Sequence, residues 1–168
     1  MSVLRTLFIS ALALLSAAAL SGCAGDPALN PELTETAALP ETARLVVEGK
    51  RQLSEGNHGV AIEAFSKSIE IDAHNPDAWL GLAACYDELG RFDQADKAYG
   101  KVQQLVGATP RVLNNLGYSY LLRGNLDKAR TTLAAAYQGD PGNPYILNNI
   151  TILNEKLVAL GHPPIVMN

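Results

Sequence analysis

Three kinds of side chain in this sequence carry chemistry worth placing: two thiols, three imidazoles and two pairs of adjacent amides. Cys23 closes the run Leu20-Ser21-Gly22-Cys23, and Cys85 lies far from it in a helix-forming stretch. Two cysteines exclude a disulfide-stapled miniprotein and a Cys-rich zinc module. His58, His74 and His162 fall in turns or in the tail, with no spacing that sets two of them on one helix face. No glycine-rich phosphate loop is present, and Gly117-Tyr118-Ser119 lacks the closing glycine of a nucleophile elbow. The amides remain. Asn114-Asn115 and Asn148-Asn149 recur 34 residues apart, and each side chain offers donors and an acceptor that suit the main chain of an extended or helical peptide. This is the chemistry of recognition. No catalytic residue, metal, cofactor or small-molecule substrate is expected, and the chain does not read as an enzyme.

The elements that must position those amides come from a chain of 168 residues, 48% apolar and 18% charged, with a formal net charge of −4. That length suits one domain with a sizeable core. The acidic balance leaves no electrostatic footprint for a phosphate backbone, so nucleic acid is not an expected partner.

Residues 3–20 hold one charge, Arg5, and then an Ala/Leu-rich run that stops at Gly22. A basic residue, an apolar run and small residues are the layout of a secretory signal. A membrane-spanning helix needs roughly 20 apolar residues, more than this run supplies. Leu20-Ser21-Gly22-Cys23 resembles the bacterial lipobox, which implies cleavage before Cys23 and a diacylglycerol on its thiol; an ordinary signal with a chance cysteine is the alternative. Ala24 stands where Asp resembles an inner-membrane retention signal, so the resemblance implies the outer membrane, with the domain facing the periplasm. Several acyl chains, at about 0.8 kcal/mol per buried methylene, make a firm anchor. With Cys23 acylated, Cys85 is left as a free thiol and is expected to be buried and inert. The expected organisation is a signal at 1–22 and a lipidated Cys23 with a tether to residue 41. Pro27, Pro31 and Pro40 interrupt that tether.

Beyond the tether the sequence repeats. Pro76, Pro110 and Pro144 stand 34 residues apart, as do Ala61, Ala95 and Ala129, and Gly56, Gly90 and Gly124. Trp79, Leu82, Ala83 and Tyr86 form one apolar stripe at helical period. The glycines suit helix ends and the prolines suit first turns. With Gly117, Tyr120, Ala129 and Leu133 one repeat on, the pattern resembles the tetratricopeptide repeat. That resemblance implies an all-α solenoid: units at 42–75, 76–109 and 110–143, a capping helix at 144–160 and a tail at 161–168. Trp79, Tyr86, Ala95, Gly117, Tyr120 and Ala129 are read as packing positions, with small residues at Ala83 and Gly117 facing Ala95 and Ala129. Asn154, Glu155 and Lys156 are read as the polar outer face of the cap.

In such a stack the first helix of each unit builds the inner wall. Its expected groove residues include Lys50, Leu80, Arg111, Asn114, Tyr118 and Asn148, with Asp87 beside them. Asn115 and Asn149 are read as structural and Asn114 and Asn148 as groove contacts. Lys50 and Arg111 are too far apart, with acids between them, for a carboxylate clamp.

The stretch Leu113-Asn114-Asn115-Leu116-Gly117-Tyr118-Ser119-Tyr120, with Gly124-Asn125-Leu126-Asp127-Lys128-Ala129-Arg130 and Asp140-Pro141-Gly142-Asn143-Pro144, is similar to the TadD family of lipoproteins. That family serves the assembly of the Flp (tight adherence) pilus. The resemblance implies an adaptor that supports an outer-membrane secretin by protein–protein binding. Type IV pilus pilotins and lipoproteins of outer-membrane protein insertion or the cell wall are the alternatives, and a regulatory subunit of a cell-wall enzyme is a further one.

Overall fold

The structure is a computed structural model that describes residues 39–166. The expected signal segment, Cys23 and the tether as far as residue 38 lie outside the described residues. Within them are seven helices and no strand: α1 (Glu41–Ser54), α2 (His58–Ile71), α3 (Pro76–Glu88), α4 (Phe92–Val106), α5 (Pro110–Leu122), α6 (Leu126–Gly139) and α7 (Pro144–Ala159).

Local sequence sets where the odd-numbered helices begin and end. Pro76, Pro110 and Pro144 occupy their first turns, where no N–H is needed. The preceding Asn75, Thr109 and Asn143 accept hydrogen bonds from free N–H groups of those turns. Each odd helix then ends at a glycine with φ between 67° and 78°, a conformation that penalises any Cβ. The N–H of the following residue reaches back five positions, as in Arg91 to Tyr86 O (2.8 Å) and Asn125 to Tyr120 O (2.8 Å). After α1, α3 and α5 this turn launches an even-numbered helix. After α7 the same turn occurs, with His162 N bonded to Leu157 O at 2.9 Å. There Pro163 and Pro164 carry no N–H, and the chain continues extended.

Each odd helix packs against the next odd helix, α1 on α3, α3 on α5 and α5 on α7, and each even helix packs against the two odd helices beside it. The even helices do not approach one another. The stack therefore curves with the odd helices on its inner wall.

Close packing within and between units works by large on small, one repeat after another. The Phe65 ring lies against Gly49 and Gly81, where any Cβ would collide with it. A Cβ on Gly117 would stand 2.6 Å from Leu133. Gly117 therefore receives Leu133 rather than Ala129, which corrects the sequence expectation. Ala95 and Ala129 are fully buried in the clusters on either side. Tyr86 and Tyr120 are half-buried against those clusters, and the Trp79 indole N–H donates to Ala73 O at 2.9 Å.

Candidate functional site

The inner wall opens into a cleft of about 620 Å³ between α5 and α7. Helical spacing brings Arg111, Asn115 and Tyr118 to it from α5, and Tyr145, Asn148 and Ile152 from α7. Among the described residues, no carboxylate lines it. The Arg111 guanidinium is held at the rim, with Nη2 2.5 Å from Asp77 Oδ1 on α3. Asn115 Nδ2 donates to Arg111 O within its own helix at 2.8 Å. Asn148 is exposed, and Tyr145 stands 75% exposed at the edge. Burial first, and then the charges of Glu88 and Asp87, push the Tyr118 phenol above its usual range, so it serves as a neutral donor or acceptor.

All four asparagines line the cleft, but their amides differ in what they are free to bond. Asn114 is 9% exposed at the floor, and its Oδ1 accepts from Asn149 Nδ2 at 3.0 Å. Neighbouring helices cross so that the earlier amide of one pair meets the later amide of the next. Asn114 therefore joins Asn149 at the floor between the helices, Asn115 keeps only its amide oxygen for the cleft, and Asn148 presents its whole amide. Leu80, one repeat before Asn114, is another correction. It is 8% exposed in the cluster that contains Tyr99 and Val112, because α5 covers it. Lys50 is exposed on α1, outside the cleft. Polar groups of the wall thus gather at its C-terminal end.

Asp87 is not a groove residue either. Only 4% exposed, it accepts from Tyr99 Oη at 2.8 Å and from Ser119 Oγ at 2.6 Å. Arg123 donates to Ser119 Oγ at 2.6 Å, lies 3.5 Å from Asp87 Oδ1 and pairs with Asp96 at 3.0 Å. Its guanidinium stacks over Phe92, 4.6 Å from the ring centroid. Burial pushes the Asp87 carboxyl above its usual range, and the Ser119 and Tyr99 hydrogen bonds and the Arg123 charge oppose that shift. Nothing in the local sequence announces this network, because its members come from three helices. Cys85 is fully buried, and desolvation pushes its thiol up to about 12, so it stays protonated and unreactive.

Two family models described as tetratricopeptide repeat match residues 52–114 and 86–144, and together they span more than half of the chain. A curated relative, small glutamine-rich tetratricopeptide repeat-containing protein 2 of Mycosarcoma maydis, is 24% identical over 119 residues, 71% of this chain and 34% of that protein. The chain spans about a third or less of the length of the first curated relatives it matches. Among solved structures, Pseudomonas aeruginosa pilF is 25% identical with a TM-score of 0.63, covering 72% of this chain and 54% of that one. The first tetratricopeptide domain of Spaghetti (RPAP3), bound to an HSP90 peptide, is 19% identical with a TM-score of 0.59, covering 70% and 94%. The 34-residue period, the helix pairs and these matches lead to one conclusion: the chain belongs to the tetratricopeptide-repeat family, whose repeats are protein-interaction modules.

Proposed function

We propose that this protein is a lipid-anchored adaptor of the bacterial cell envelope. In this reading Cys23 holds it to the outer membrane, and the domain faces the periplasm and supports assembly of an Flp-type pilus by binding the secretin. The observation that carries the binding role is the α5–α7 cleft, which among the described residues is free of carboxylates, walled by two tyrosines and supplied with the open amide of Asn148 and the amide oxygen of Asn115. Such a surface reads a peptide main chain through amides and holds its side chains against aromatic rings. Arg111 is engaged by Asp77, so an uncharged segment suits the cleft better than a terminal carboxylate. The anchor rests on the Leu20-Ser21-Gly22-Cys23 motif after an apolar run of signal length.

Two measurements test this. Mass spectrometry of the membrane-extracted protein should show an acylated N-terminal peptide beginning at Cys23, and Cys23→Ser should lose it. Affinity capture with the full-length chain should retain a secretin of the Flp type. An unmodified N-terminus elsewhere overturns the anchor, and a secretin that passes through unbound overturns the partner.

A further inference from the structure

The segment after α7 takes the place that a second helix takes in every earlier unit, and it is held there by its main chain. Asn154 grips both amide groups of one residue: its Oδ1 accepts from Ile165 N at 2.7 Å and its Nδ2 donates to Ile165 O at 3.1 Å. From α6, Arg130 Nη2 donates to Pro163 O. The Ile165 side chain packs onto the buried cluster that contains Leu153 and Leu157. These positions depart from the repeat. Asn154 stands where the earlier units have Tyr86 and Tyr120, and Arg130 stands where the preceding unit has Asp96.

All three hydrogen bonds go to backbone atoms, so the seam reads an extended chain more than a particular sequence. Pro163 and Pro164 pre-set that extended form, which lowers the entropy lost on docking. The segment does not fill the seam. A cleft of about 680 Å³ continues beside it, between His162-Pro163 and the start of α6 at Asn125 and Leu126. None of these residues lines the inner-wall cleft.

We propose that the α6–α7 seam is a second peptide site, separate from the inner wall and closed in cis by residues 162–166. Its ligand is an extended, proline-containing segment with a branched aliphatic side chain two residues beyond the carbonyl that Arg130 catches. Tethering places the internal copy at an effective concentration on the order of millimolar, so a segment in trans enters when the internal one is weakened.

The probe is the chain's own segment: a fluorescent peptide of residues 161–166, followed by anisotropy. Full chain carrying Ile165→Asp should bind it at least tenfold more tightly than unaltered chain, and adding Asn154→Leu should remove that binding. On the unaltered chain, the Ile165 amide resonance should move toward its free-chain position as excess peptide displaces the segment; this readout stands even if Ile165→Asp fails to fold. Equal affinity for a folded Ile165→Asp chain and the unaltered one, binding that survives Asn154→Leu, or an Ile165 resonance unmoved at millimolar peptide would overturn the proposal.

Discussion

Four positions of the repeat are filled in opposite ways at two successive junctions. Where α3 and α4 meet α5, they are Asp87, Tyr99, Ser119 and Arg123, joined by hydrogen bonds and charge. One repeat later, where α5 and α6 meet α7, the same positions are Leu121, Leu133, Leu153 and Leu157, all buried in one cluster. The backbone architecture is shared, so a polar lock and a leucine cluster are alternative solutions to one packing problem. The leucines gain from burial without geometric demands. The polar lock gains little net energy once desolvation is counted, and each member depends on the others. The difference predicts which junction breaks when a single side chain is lost and which yields by degrees.

Removing one member of the polar lock has the largest expected effect. Asp87→Ala leaves Ser119 and part of Arg123 without their acceptor and Tyr99 Oη with only Asn115 O at 3.2 Å, and truncating one side of a buried pair costs about 3–5 kcal/mol. Urea unfolding of the variant measures it. Replacing all four residues by leucine, in imitation of the next junction, should restore wild-type stability or exceed it. A quadruple variant as weak as Asp87→Ala would show that the two junctions are not interchangeable. At the leucine junction, Leu133→Ala opens a cavity over Gly117 and should cost about 2–5 kcal/mol in the same assay.

Smaller effects sharpen the contrast. Asn114→Ala orphans the Asn149 amide N–H at the floor of the cleft and should cost about 1–3 kcal/mol. A double-mutant cycle with Asn149→Ala isolates that bond. The smallest effect is the pH response of the polar lock. The folded protein holds the Asp87 carboxyl above its usual range, so the native state binds that proton more tightly than the unfolded chain does. The resulting stability is complete below the usual carboxylate pKa and is lost as pH rises through the raised native value. Wild type minus Asp87→Asn should therefore decline with rising pH across that window and level off above it. A difference that grows with pH would mean that the Arg123 and hydroxyl contacts outweigh burial.

The helix boundaries were legible because they are written in short-range chemistry. Pro76, Pro110 and Pro144, the capping residues before them and the glycines at helix ends act within a few residues of where they stand. The gathering of Arg111, Tyr118 and Asn148 in one cleft follows from the period alone. What stayed hidden depends on how the helices cross. Asn114 and Asn148 look alike in sequence, yet one is bonded beneath the cleft and the other opens into it. Asp87 looks like a groove acid until Ser119, 32 residues away, closes over it. Asn154 looks like a polar outer face, and only the fold brings Ile165 back to it.

The central claim is that the C-terminal end of the inner wall holds a segment of a protein partner. Calorimetric titration of the periplasmic segment of the proposed secretin partner into the full chain tests it most directly, with Asn148→Ala/Tyr145→Ala as the comparison, since both residues lie on the exposed edge of the cleft. Loss of one open amide and one aromatic wall should weaken binding by roughly ten- to a hundredfold, with helical content and unfolding midpoint unchanged. Full affinity in that well-folded variant would contradict the claim.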